Sequence, residues 1–295
     1  MGTFLDRSAF LRAKMKLRFA STKDANGIQR LCKAASGEDD YLLHIFKEWF
    51  KPRQIAVAEE GGKVIGMVKG KPLIDGSIWL GAARVHPDHR GKGIAGQLTM
   101  RHVEANSRRG VEYFRALISQ ANKASIRSIQ KVGFRPALVV TIVTTERDEG
   151  EKHRIRYVDL NRMTAKLKRE TITAEDVRGS RVIREMNGLV GMFYEFSTLN
   201  GKTGDIITKK NKVFSFDGDG KFIIATNQSR TWMTVQIVQD HPSLPRRLAE
   251  LTLADGGPGT GLFLPVDSGL ISKYRRGGFE YAGWAKRANV MQLKV

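Results

Sequence analysis

The stretch Leu80–Ala95, LGAARVHPDHRGKGIA, decides how the rest of the chain is read. It begins as an apolar strand, breaks at Pro87, crosses a short basic, glycine-rich turn and enters a helix, GIAGQLTMRHVEANSRR. A strand that empties into such a turn at a helix start aims several backbone N–H groups at one point. The helix dipole adds partial positive charge there. The result is an anion cradle, suited above all to phosphate. Gly91 and Gly93 carry no Cβ and let a ligand approach the backbone, while Arg90 and Lys92 place full charges alongside. Taken alone, the short pattern also fits an ordinary strand–turn–helix corner with two solvated basic residues.

A second segment follows at a fixed distance. After an apolar strand, Phe114 to Ser119, comes NKASIRSIQKVGF, Asn122 to Phe134. It reads as a helix ended by Gly133 at C′, with Phe134 turned into the core. The ordered pair V-x-P-x-x-R-G-x-G-x-A and N-x-x-S-x-x-x-x-x-K-x-G-F resembles the GCN5-related N-acetyltransferase (GNAT) superfamily over roughly residues 16–160. Arg90, Gly93 and Ala95 carry the first motif; Asn122, Gly133 and Phe134 carry the second. The resemblance implies an α/β (α+β) fold with a mixed twisted sheet, acetyl-CoA as co-substrate and an amine acceptor. It implies that the central strand splays from its neighbour, with the thioester in the gap. By position, the backbone at Val85 would bond the pantetheine arm. The amides of Gly91, Lys92, Gly93, Ile94 and Ala95, beside Arg90, would hold the pyrophosphate, and Asn122 would face the cofactor.

The chain departs from the family pattern where the chemistry is done. Acetyl transfer needs a route for the ammonium proton and benefits from an acid for the departing thiolate. Many family members use a Glu eleven residues before the position of Arg90 and a Tyr four before the glycine of the second motif. Here those positions are Trp79 and Ile129. Asp75, His86, Asp88, Glu48 and Ser119 are possible substitutes, and spacing singles out none of them. His86 lies beside the turn and titrates near neutral pH, although a surface histidine at a strand end fits the same position.

Composition sets the wider bounds. The chain has 295 residues, 41% hydrophobic and 27% charged, the profile of a globular protein. No run approaches the roughly 18 apolar residues of a membrane span. Residues 1–15 form a basic lead-in without the apolar core of a secretory signal. The single cysteine, Cys32, excludes an intramolecular disulfide, and its helical spacing with Ile28 and Leu31 makes it a small core residue. A reducing, cytoplasmic compartment is expected. The net charge of +20 is spread over both halves, with no block of like charge. Such an excess attracts polyanions. With no helix-turn-helix, zinc-finger or RNA-binding signature, nucleic acid is not the favoured partner.

The remaining pattern sets the order of elements. KLRFAS is a strand, the helix after Ser21 runs through Cys32, and DYLLHIFKEWF is a second helix stopped by Pro52. IAVAEE, Gly61-Gly62 and KVIGMVKGK form a hairpin. A hairpin from PALVVTIVTT to RIRYVDL closes the first domain, residues 1–160.

Residues 161–295 then repeat the pattern in degenerate form. DSGLISKYRRGGF is similar to NKASIRSIQKVGF at an offset of 145, which places Leu262 on Leu117, Asp267 on Asn122, Ile271 on Ile126, Tyr274 on Ile129 and Arg276 on Lys131. No glycine cradle recurs, because VQDHPSLPRRLAE stands in place of VHPDHRGKGIAGQ. The acidic turn at Asp217–Gly220 lacks later calcium ligands, so no metal is expected. The second copy is expected to shape the acceptor pocket or to serve structurally. Its Tyr274 is a weak candidate acid, and packing on a helix face is the plainer reading. The leading function is acetyl transfer from acetyl-CoA to an amine by direct attack on the thioester. The alternative is a non-catalytic CoA-binding or scaffold protein that docks an acidic partner or RNA through its basic surface.

Overall fold

The alternating segments IAVAEE and KVIGMVKGK close as an antiparallel hairpin of β2 (Ile55–Glu60) and β3 (Lys63–Pro72). Gly61 and Gly62 turn it, both at positive φ, the conformation a tight two-residue hairpin turn needs. The computed structural model describes residues 15–38, 40, 42–43, 50–51, 53–145, 160–210, 212–226, 233–254, 260–266, 268–283 and 285–295. Residues 1–14, most of the expected 40–50 helix with Glu48, the segment RIRYVDL up to residue 159, and Asp267 lie outside the described residues.

The chain divides into two compact units, residues 1–71 with 80–109, and residues 72–79 with 110–295. In the first, β1 (Lys16–Phe19) pairs antiparallel with β2. The helix Ala25–Ser36 buries Ile28, Leu31 and Cys32 against Ile55, Val57 and Met67. The helix Ile94–Ser107 lies close on β3. A Cβ at Gly66 would stand 2.7 Å from the Ile94 side chain, and one at Gly70 would stand 2.6 Å from the ring of His102. Only glycine permits that approach. The last part of β4 (Ile78–Val85) leads from this unit's sheet into the turn before that helix.

The second unit is a mixed sheet. Its strands after the start of β4 are β5 (Tyr113–Ser119), β6 (Arg135–Thr144), β7 (Lys168–Arg169), β8 (Leu189–Met192), β9 (Glu195–Thr198), β10 (Val213–Phe216), β11 (Asp219–Thr226), β12 (Met233–Gln239), β13 (Thr260–Pro265), β14 (Glu280–Tyr281) and β15 (Arg287–Lys294). The order is β4, β5, β15, β6, β13, β12, β11, β10, β7, with β14 on β6 and β8–β9 a separate hairpin. The pairs β4–β5 and β12–β13 are parallel.

The end of the chain lies inside the sheet. β15 inserts between β5 and β6, pairing antiparallel with both, and β6 passes to β13. The same order of strand, helix, Gly-Phe and strand runs from β5 to β6 and from β13 to β15. In both runs the phenylalanine N–H returns to the helix five residues back, Phe134 to Ile129 and Phe279 to Tyr274. Gly133 and Gly278 both lie at positive φ, and both phenylalanines are fully buried. The C-terminal region therefore fits a second copy, with the last strands of the two copies exchanged.

The β8–β9 hairpin bridges this sheet. The Gly191 N–H donates to Gln236 on β12 at 2.9 Å, while Phe196 and Thr198 meet Arg115 on β5. β5 and β12 stand four places apart in the strand order, so the sheet curls around the hairpin. Arg115 is the buried fastening. Its Nη1 donates to Asp75 at 2.7 Å and Ser77 at 2.8 Å, Nη2 to Thr198 at 2.9 Å, and Nε to Gln292 at 2.8 Å. The hairpin turn is costly. Phe193 and Tyr194 sit at φ +50° and +64°, the left-handed region, at about 1 kcal/mol or more apiece for side chains of this size.

Burial of Asp75 opposes its charge, but Ser77, the Thr198 N–H and Arg115 outweigh that and hold the carboxyl below its usual range. Its folded pKa thus lies below the unfolded value of about 3.9. The stabilisation is complete above that pH and is lost as pH falls through the folded value. Arg115→Ala leaves Asp75 buried and unpaired, and should cost about 3–5 kcal/mol in urea unfolding at pH 7. The double variant Asp75→Asn/Arg115→Met should cost less than Arg115→Ala and lose less stability than wild type between pH 4 and pH 2.

Candidate functional site

The turn after β4 forms as its sequence dictates. Pro87 starts a single 3-10 turn, Pro87–His89, and Arg90 is extended. Gly91 at φ +78° and Gly93 at φ +73° then bring the chain into the helix Ile94–Ser107, with Gly93 as the left-handed N-cap. The first inward bond is from the Gln97 N–H to the Gly93 carbonyl at 3.0 Å. Among the described residues, no acceptor meets the N–H groups of Gly91, Lys92, Gly93, Ile94 or Ala95. The space beside them is open: a Cβ at Gly91 would meet nothing within 4 Å, and one at Gly93 only the Gln97 amide at 4.0 Å. Free amides at a helix start with no side chain over them are the donor set a pyrophosphate requires.

Arg90 also makes structural bonds. Its Nη2 donates to the Ala35 carbonyl at 2.8 Å and its Nε to the Val85 carbonyl at 3.4 Å. The guanidinium ties the turn to the end of β4 and to the first helix. Arg84 grips Asp40 through two bonds, at 2.7 and 2.8 Å, and Asp40 is buried.

His86 ends β4, with its N–H on the Ile65 carbonyl at 2.9 Å. Among the described residues its buried Nδ1 has no hydrogen-bond partner and lies 3.6 Å from an Asp88 carboxylate oxygen. In the second unit, Asn122 caps the helix Lys123–Lys131 by accepting from the Ser125 N–H at 3.0 Å. Trp79 is half-buried, its ring 6.1 Å from that of Phe196, and Ile129 is buried. Neither position offers a proton-transfer group. Asp75 is buried, and its carboxylate is engaged by Arg115, Ser77 and the Thr198 N–H.

The second copy's counterpart of the cradle is closed. Between β12 and the helix Leu244–Ala254 stand only residues 240–243, where the first copy has 86–93. A Cβ at Gly277 would lie 2.4 Å from Pro245 and 3.1 Å from the Arg246 backbone nitrogen, so the chain itself covers that helix start. Tyr274 is fully buried, and its hydroxyl donates to Asp240 at 3.1 Å. Burial, the Asp240 charge and that bond push its pKa well above the ordinary tyrosine value. This phenol is enclosed in the second unit's core. Sequence reasoning missed the Arg115 cluster and the aromatic hairpin tip. A lone arginine in YFRALIS gives no sign of its partners, 38 to 177 residues away.

Residues 25–134 match the family model described as Acetyltransferase (GNAT) family, so the chain contains a GNAT-family domain there. No curated protein sequence matches the chain. Among solved structures, the fold is shared with a Thermoplasma acidophilum protein provisionally assigned as an acetyltransferase (TM-score 0.60, 15% identity, 95% of this chain and 100% of that one). It is shared with a GCN5-related N-acetyltransferase from Sphaerobacter thermophilus (TM-score 0.57, 14%, 95% of each). A GCN5-related glucosamine N-acetyltransferase region of a fungal multi-domain β-N-acetylglucosaminidase is also similar (TM-score 0.57, 11%, 96% of this chain and 38% of that one). At these identities the likeness is one of fold.

Among the described residues there is no metal-binding group of three or more His, Cys, Asp or Glu, and no helix is long and apolar enough to cross a membrane. Cys32 is fully buried, and burial with the nearby Asp40 charge pushes its thiol up to about 11. At pH 8 the native protein should leave Ellman's reagent unreacted and release one equivalent only after unfolding in guanidinium, the mark of a core residue rather than a nucleophile.

Proposed function

We propose that this protein transfers the acetyl group of acetyl-CoA to an amine by direct attack of the amine on the thioester. The observation that carries this reading is the row of amides from Gly91 to Ala95, which meet no acceptor among the described residues, beside two glycines with open space over them. Those amides and the helix dipole would hold the pyrophosphate, the Val85 backbone would follow the pantetheine arm, and Arg90 would keep the turn in shape. Asn122, as a helix cap, orients the second motif.

Acetyl-CoA supplies an acyl carbon already activated as a thioester, which is why a protein without the usual Glu and Tyr remains competent. The ammonium first loses a proton through water or His86; the neutral nitrogen then bonds the acyl carbon as the carbon–sulfur bond breaks, and the nitrogen's second proton passes through solvent to the departing CoA thiolate. Nothing in this scheme uses Tyr274. Residues 1–160 and 161–295 are read as two copies of one fold, only the first holding cofactor. A cytoplasmic setting suits the single buried thiol.

Calorimetric titration with acetyl-CoA should give one site per chain. Gly93→Val places a β-branched side chain at a left-handed position in the cradle, and should weaken binding by at least about tenfold, some 1.4 kcal/mol. Two sites per chain, or undiminished binding by Gly93→Val, overturns the assignment. Firm binding with no CoA release on any amine favours the scaffold reading instead.

A further inference from the structure

The far edge of the second unit's sheet is built from two short basic segments. β7 is the end strand of the order and only two residues long, Lys168–Arg169. It pairs antiparallel with β10, Arg169 opposite Phe214 and Lys168 opposite Ser215. Residues 166–170 read Lys-Leu-Lys-Arg-Glu, with Lys166, Lys168 and Arg169 exposed. Successive strand residues point to opposite faces, so Lys168 and Arg169 straddle the edge.

The helix Gly201–Lys209 leads into β10 and brings the second segment, residues 205–210, Asp-Ile-Ile-Thr-Lys-Lys. Its last turns lie beside the chain that leaves β7. The Ile172 N–H donates to the Thr208 hydroxyl at 3.0 Å, and a Cβ at Gly204 would stand 3.0 Å from the Ile172 side chain. The exposed Lys209 and Lys210 thereby join the edge cations. These two segments hold five cations and two carboxylates. Glu170 accepts from the Ser215 hydroxyl at 2.9 Å and pairs with Lys168 at 3.3 Å, while Asp205 stands one helical turn before Lys209. Among the described residues, no carboxylate pairs with Lys166, Arg169, Lys209 or Lys210.

Each set of cations has a local use. Lysines on an edge strand deter pairing with another chain, and lysines at a helix C-terminus complement its dipole. Neither use requires the two sets to meet. Gathering like charges in a chain of net charge +20 adds self-repulsion, which a partner's anions would relieve.

The make-up of the edge selects among polyanions. The two segments carry no aromatic residue, so they offer single-stranded bases no stacking platform. Protein–protein interfaces are poor in lysine and rich in aromatic anchors. A bilayer surface is met by an exposed apolar face, and among the described residues the one exposed large hydrophobic is Val295. The backbone of a duplex, by contrast, is bound by cations on its phosphates without any reading of bases. We propose that Lys166, Lys168, Arg169, Lys209 and Lys210 bind the phosphodiester backbone of double-stranded nucleic acid, whatever its base sequence. This stands apart from the acetyl-transfer reading, whose cradle uses none of these residues.

The test is fluorescence anisotropy of the full chain with a labelled DNA duplex of mixed sequence, between about 50 and 200 mM KCl. With each of the five cations on one phosphate, the logarithm of the binding constant falls against that of salt with a slope of about −4.5. Lys209→Gln/Lys210→Gln should make that slope shallower by about 2, equally for two unrelated sequences. Lys209→Arg/Lys210→Arg, which keeps the charge, should leave it as it was. Arg108→Gln/Arg109→Gln removes the same charge from another exposed place and should also leave it unchanged. A wild-type slope shallower than about −2 overturns the inference, as does an equal change in the Arg108→Gln/Arg109→Gln variant. Displacement of the duplex by poly-L-glutamate at equal anion concentration overturns it in favour of an acidic protein partner.

Discussion

A guanidinium with almost no access to water sits at the centre of the second unit, and its need for partners dictates what surrounds it. Arg115 cannot discharge by losing its proton, so each exposed donor must find an acceptor or cost several kcal/mol. It finds Asp75 and Ser77 in the turn before β4, Thr198 on the hairpin and Gln292 on the last strand. These come from three separate parts of the chain. None can shift without stranding a buried charge, so the arginine fixes the hairpin's register against the sheet. The hairpin in turn supplies the Phe196 ring that packs on Trp79.

The exchange of last strands gives the two copies a shared fate. β15 stands between β5 and β6, so the sheet of the first copy is completed only when residues 287–294 have been made. The registers show where the copies have drifted. Ser119 faces Ala288 across β5–β15, while Gly261 faces Thr144 across β13–β6, a two-residue shift from the repeat offset. An insertion of that size around β14, where the second copy bends before β15, accounts for it.

Divergence between the copies is sharpest where the first presents its cradle. In one copy, eight residues with two left-handed glycines leave a helix start open to an anion. In the other, four residues join strand to helix, and the glycine at 277 serves to let the backbone close over the helix start. The same residue type thus does opposite work, admitting a ligand in one place and neighbouring chain in the other.

The sequence by itself determined what is local. The glycine turn, the Gly-Phe helix ending, the Gly61-Gly62 hairpin and the buried Cys32 all depend on residues within one or two turns of each other. Their conformational preferences were therefore readable, as was the absence of a Glu at 79 and a Tyr at 129. The offset of 145 also pointed to a second copy, because the Gly-Phe ending imposes a rigid backbone requirement. Only the tertiary structure decided what depends on distant partners: that Arg90 ties the turn to the first helix, that Asp75 is bound to Arg115, that Tyr274 is buried on Asp240, that β15 belongs between β5 and β6. Pairing across 150 or more residues leaves no periodicity in either segment. An aromatic pair such as Phe193-Tyr194 reads as ordinary core until its backbone is seen in the left-handed region.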